Sequence, residues 1–189
     1  MFFNRQENKT DEQLMLLVQQ GHTEAMTLLY RRYARALLRY FFRMLWKKES
    51  LAQDFLHDLF LKVIERADQF KDGHRFSTWL YASAYNMCKN EYRKQAFRKA
   101  VHESDIAEPA ADNLHDDLVQ KEFRQALDDA LNAFEEDDKN LFVLRHELEM
   151  SLDEIAALVG VPTGTVKSRL FYLKKKLAVQ LQMFHLNEE

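Results

Sequence analysis

Apolar residues recur at steps of three and four along most of the chain, and no stretch alternates with the period of two that marks a strand. The pattern predicts helices throughout. Thr10 followed by Gln13 is a capping box, so a helix is expected to begin there with Leu14, Leu17 and Val18 on one face. Gly21 interrupts it, and Thr23 is the expected cap of a second, longer helix. Leu29, Tyr33, Ala36, Leu37, Tyr40, Phe41, Met44 and Leu45 line that helix. A third helix is predicted from Ser50. Its apolar face comprises Leu51, Phe55, Leu59 and Val63, with Leu56, Phe60 and Ile64 beside them. Asp54, His57, Asp58, Leu61 and Glu65 are left over on another stripe.

Phe70 to Arg75 reads as a loop in which Gly73 supplies backbone freedom. Ser77 or Thr78 is expected to open the next helix. It carries Trp79, Leu80, Ala84 and Met87 and runs into the basic segment Lys89, Arg93, Lys94, Arg98 and Lys99. From Val101 to Asn113 the periodicity stops, and Glu103 to Asp117 holds acidic residues with no Lys or Arg. This stretch is expected to be a flexible linker. Beyond it, Leu118, Phe123, Leu127, Leu131 and Phe134 predict one helix, and Leu141, Phe142, Leu144 and Leu148 the next. The expected fold class is all-α, as two small helical domains joined by the linker.

Composition agrees. Only 4 glycines and 2 prolines occur in 189 residues, which disfavours a turn-rich β protein. The single cysteine, Cys88, permits no disulfide within the chain. A cytoplasmic setting is expected, with no export signal in Met1 to Thr10 and no direct membrane insertion. The net charge of −3 disguises an uneven distribution, because two basic segments flank an acidic one. No phosphate-binding glycine loop or dinucleotide fingerprint is present, and His146-Glu147 lacks the second histidine of a zinc-protease motif. No enzyme activity, cofactor or metal is expected.

The most informative segment runs from Ser151 to Leu170. Ser151 and Glu154 form a second capping box, Gly160 suits a left-handed helix end, and Thr163 or Thr165 is the expected cap of the following helix. Ile155, Leu158, Val159, Val161, Val166 and Leu170 face inward. The pattern is a helix-turn-helix, whose second helix enters the major groove of DNA. Thr165, Lys167, Ser168, Arg169, Phe171, Tyr172 and Lys174 form its expected outer side, suited to phosphates and base edges.

Val161-Pro162-Thr163-Gly164-Thr165-Val166-Lys167-Ser168-Arg169-Leu170 resembles region four of extracytoplasmic-function (ECF) RNA polymerase sigma factors. The family's usual arginine after the aromatic position is replaced, since Phe171 is followed by Tyr172, Leu173 and three lysines. The first half is similar to sigma region two, in Asp11 to Gly21, Leu51 to Val63, and Phe76 to Leu80 followed by Asn86.

The resemblance implies a region-two domain over 1–98, a linker over 99–117 and a region-four domain over 118–189. It implies that Asp54, His57, Asp58, Leu61 and Glu65 bind the clamp helices of the largest subunit of core RNA polymerase. It implies that Phe70, His74, Arg75, Tyr85, Asn86, Lys89 and Arg93 handle the minus-ten element. The Thr165–Lys174 set would then read the minus-thirty-five element of promoter DNA. An anti-sigma factor is a further implied partner. The alternatives are a helix-turn-helix regulator that does not join polymerase, and a helical adaptor without DNA contact. The first does not need the aromatic-basic segment from Phe76 to Tyr92. The second does not need the lysine-rich surface.

Overall fold

The computed structural model describes residues 8–71, 73–101 and 118–182. All regular structure among them is helical. The chain divides into two units at Ala110 and Ala111, a boundary outside the described residues, as is the acidic segment 103–117.

The N-terminal unit holds α1 (Asp11–Gln19), α2 (Thr23–Met44), α3 (Glu49–Glu65), a short 3-10 turn (Ala67–Gln69) and α4 (Phe76–Val101). The capping box at Thr10 and Gln13 forms as the sequence predicts. Helix α2 does not start as expected. His22 occupies the capping position, and the Thr27 hydroxyl donates to the Thr23 carbonyl. Leu14, Met15, Leu29, Leu37, Phe41, Met44, Leu59, Phe76 and Leu80 are all within 2 % of full burial and form the core. Removing that much apolar surface from water is what holds the four helices together. Asp11 fastens α1 to α2 by pairing with Arg32 at 2.5 Å and accepting from the Tyr33 hydroxyl. The Tyr92 hydroxyl donates to the Met44 carbonyl at 2.7 Å and ties α4 to the end of α2.

The C-terminal unit holds α5 (Leu118–Asn132), α6 (Glu136–His146), α7 (Leu152–Val159) and α8 (Thr163–Gln180). Ala130 and Leu131 of α5 meet Leu173 and Leu177 of α8 and the following Leu181, with Leu127, Phe134 and Phe142 packed against them. The second capping box forms at Ser151 and Glu154. Gly160 ends α7 with φ +75°, the left-handed conformation glycine adopts most cheaply. Pro162 caps α8 instead of a threonine. Thr163 lies one position further on, and its hydroxyl donates to Asp153 at 2.8 Å, bracing the turn.

Candidate nucleic-acid interfaces

Three surfaces carry the residues singled out from the sequence. On α3 the core takes Ala52, Leu56, Leu59, Phe60 and Val63. That assignment leaves Asp54, His57, Asp58, Leu61 and Glu65 exposed together on the opposite side. Ile64 departs from the expected inward face: it is 52 % exposed, beside Leu61 at 57 %. Residues three and four apart share a helix face, so Leu61 and Ile64 form one small apolar patch with Glu65 and other acidic residues beside it. Two exposed aliphatic side chains adjacent on one helix suit a partner surface.

The second surface is the arch from the 3-10 turn to the start of α4. Phe70, Phe76 and Trp79 form a ring cluster with centroids 5.9 to 6.2 Å apart. Phe70 is buried, and so is Tyr85 on α4. Both were expected among the DNA-contacting groups, and both are packed inward with no open ring face for base stacking. They shape the arch from beneath. Trp79 is half-buried and Tyr81 is buried edge-on to Tyr33, at 6.0 Å. His74, Arg75, Asn86 and Arg93 are exposed, and Lys89 is half-buried with its ammonium 5.8 Å above the Tyr85 ring. Asn86 and Arg93 are seven residues apart, two turns along one face of α4. Phe97, 72 % exposed, continues that face and was not anticipated from the sequence.

The arch is fixed by α1. Glu12 Oε1 accepts the backbone N–H of Phe76 at 3.1 Å, closing the N-terminus of α4 with a carboxylate 64 residues away. Gln19 Nε2 donates to the carbonyls of Ala67 at 2.7 Å and Phe70 at 2.9 Å. Partial burial pushes the Glu12 carboxyl up, but hydrogen bonds from its own N–H, from Phe76 and from Thr10, with the nearby Arg75 charge, outweigh it. The net effect holds it below its ordinary value. Helix α4 therefore begins at Phe76, ahead of Ser77 and Thr78, because its cap comes from another helix.

The third surface is the outer side of α8. Val166, Leu170, Leu173 and Leu177 face inward. Thr165, Lys167, Ser168, Phe171, Tyr172 and Lys174 are exposed, with Phe171 and Tyr172 each 63 % exposed and their rings edge to face at 5.5 Å. Arg169 departs from the expected outer side. It is half-buried, and its Nε and Nη2 donate to Asp138 of α6 at 2.9 and 2.7 Å. Both contacts fall on one carboxylate oxygen and fasten the recognition helix to the rest of the unit. Among the described residues no three His, Cys, Asp or Glu side chains gather as a metal site, and no helix is long and apolar enough to cross a membrane.

An aromatic-basic arch on one helical unit and a helix-turn-helix on another are the parts of a promoter-binding transcription factor. Two family models match them in turn, Sigma-70 region 2 over residues 29–98 and Sigma-70 region 4 over 124–177. The ECF RNA polymerase sigma-E factor of Haemophilus influenzae is 28 % identical over 187 residues, covering 93 % of this chain and 97 % of that protein. The sigma-E factor of Escherichia coli K12 is 28 % identical over 186 residues, covering 93 % and 96 %. Among solved structures, the sigma factor RpoE of Bartonella quintana, crystallised with the anti-sigma factor NepR, matches with a TM-score of 0.62 and 25 % identity. It covers 82 % of this chain and 96 % of that one. CnrH, solved with the cytosolic domain of CnrY, shares the fold with a TM-score of 0.69 at 22 % identity, covering 93 % and 99 %. The chain belongs to the ECF sigma factors of RNA polymerase, a family of transcription-initiation factors rather than enzymes.

Proposed function

We propose a division of labour between the two units of this sigma factor. Residues 1–98 form the module that joins core polymerase and captures the minus-ten element. Residues 99–117 span to the module 118–189, which reads the minus-thirty-five element as duplex. The exposed face of α3, with Asp54, His57, Asp58, Leu61 and Glu65 and the added Ile64, is the docking surface for the clamp helices of the polymerase's largest subunit. Its apolar centre and charged rim suit an interface with a buried anchor.

Strand opening needs no covalent step. A base drawn from the stack is held by groups that pair with its edge and by cations on its backbone. With Phe70 and Tyr85 inside, His74, Arg75, Asn86, Lys89 and Arg93 take those parts. Asn86 is suited to base-edge contact because an amide both donates and accepts. On α8, Thr165, Lys167, Ser168, Phe171, Tyr172 and Lys174 face the major groove. Arg169 supports that helix through Asp138. No catalysis or cofactor enters, and the working compartment is the cytoplasm. An anti-sigma factor that covers the docking and DNA faces is the expected regulator.

The observation that carries this reading is the coexistence, on one chain, of the exposed α3 patch and the arch with a helix-turn-helix. A regulator that never joins polymerase needs only the last. Multi-round transcription with purified core polymerase tests it, on a pool of promoter fragments, with and without the protein. Promoter-specific transcripts should appear only when it is present. Leu61→Asp should weaken core binding roughly 30-fold or more, the size of a typical interface anchor. No transcripts and no core binding would leave the plain-regulator reading.

A further inference from the structure

We propose that Glu12 and Gln19 of α1 are positioning residues for promoter opening, holding the arch between the 3-10 turn and α4 in the shape that receives a base. The proposal rests on the reading of that arch as the minus-ten surface. It goes further by assigning the arch's rigidity to α1, which carries none of the residues assigned to DNA.

The two residues lie seven positions apart, so they share a face of α1 and are separated by about 10 Å along it. Gln19 takes the entry side of the arch through the Ala67 and Phe70 carbonyls. Glu12 takes the exit side through the Phe76 N–H. Leu14, Met15 and Val18 are buried and anchor α1 in the core. Phe70 and Phe76, at the two ends of the arch, are buried against each other and Trp79. His74 and Arg75 stand exposed between these anchors. Backbone N–H and carbonyl groups at such a turn are costly to leave unmet, and α1 bonds the Phe70 carbonyl and the Phe76 N–H and adds a second donor to the Ala67 carbonyl, which also accepts the Phe70 N–H at 3.1 Å. Arg75 also adjoins Glu12, so one carboxylate both ends the arch and sits beside its cation.

The test uses the full-length protein with core polymerase on two templates: a duplex promoter, and the same promoter with the minus-ten segment mismatched so that it is already open. Glu12→Ala and Gln19→Ala should each reduce open-complex formation on the duplex by roughly tenfold, the size of a lost helix cap. The defect should largely disappear on the pre-opened template, with core binding unchanged. Glu12→Gln, which keeps the acceptor oxygen, should recover most of the duplex activity. Equal losses on both templates, or a loss that tracks core binding or the folded fraction, would overturn the proposal. If the unsubstituted protein shows no dependence on the minus-ten sequence on either template, the minus-ten reading itself fails, and the bracing role fails with it.

Discussion

The two surfaces proposed to meet DNA use aromatic rings in opposite ways. At the arch, Phe70, Phe76 and Tyr85 lie inside, Trp79 is half-buried, and Lys71, His74 and Arg75 are exposed. On α8, Phe171 and Tyr172 lie outside and aliphatic residues fill the interior. The difference follows from what each must hold rigid. The arch has short turns in place of a continuous helix, such as the His74 N–H to the Lys71 carbonyl at 3.3 Å, and buried rings and caps from α1 add to what keeps its shape. A helix is already rigid, so its large side chains are free for the ligand.

The sharpest way to break this comparison is to truncate one ring from each surface. Phe76→Ala should destabilise the N-terminal unit by about 3–5 kcal/mol, as for a buried phenylalanine. Phe171→Ala should move stability by no more than about 0.5 kcal/mol. Chemical denaturation of the two variants checks this, and a similar loss in both would erase the contrast. The next effect concerns Arg169. Asp138→Ala and Arg169→Ala should each cost about 1 kcal/mol, since the pair is only partly buried. Their double mutant should cost little more than either alone, because both remove one interaction. Additive losses, or loss of upstream-element binding from Arg169→Ala alone, would return Arg169 to the DNA-reading set.

A smaller effect sharpens the account of the arch. Glu12 has a lowered carboxyl pKa in the folded protein, so its contribution to stability is present above the ordinary value of 4.5. It is lost as pH falls through the lower folded value. Comparing wild type with Glu12→Gln in thermal melts from pH 6 down to pH 3 should show their difference shrinking as the carboxyl protonates. A constant gap would mean that the carboxylate charge plays no part.

Local signals are legible in the chain and distant ones are not. Both capping boxes and the left-handed Gly160 depend on residues a few positions apart, so the sequence displays them. The cap from Glu12 to Phe76 and the latch from Arg169 to Asp138 join residues 64 and 31 apart, and no periodicity reveals them. The spacing of four from Phe60 predicts Ile64 on the inward side. The helix turns its buried face toward Leu56, Leu59 and Val63, and Ile64 falls past its edge. Thr23, and Thr163 or Thr165, are the caps the sequence offers. Thr23 and Thr163 instead stand as the first helical residues; the Thr23 carbonyl accepts from the Thr27 hydroxyl, and the Thr163 hydroxyl donates to Asp153. The spacing 61, 64, 65 on a charged helix was the signal available for Ile64, and an aromatic residue amid lysines and arginines was the signal for Phe97.

The most direct measurement is equilibrium binding of the protein, in complex with core polymerase, to two labelled probes. One is the single-stranded non-template minus-ten segment and the other is the duplex upstream element. His74→Ala with Arg75→Ala should weaken only the single-strand probe, and Phe171→Ala with Tyr172→Ala only the duplex, each by roughly tenfold or more. If either pair weakened both probes equally, or exchanged its probe with the other, the assignment of one DNA form to each unit would be contradicted.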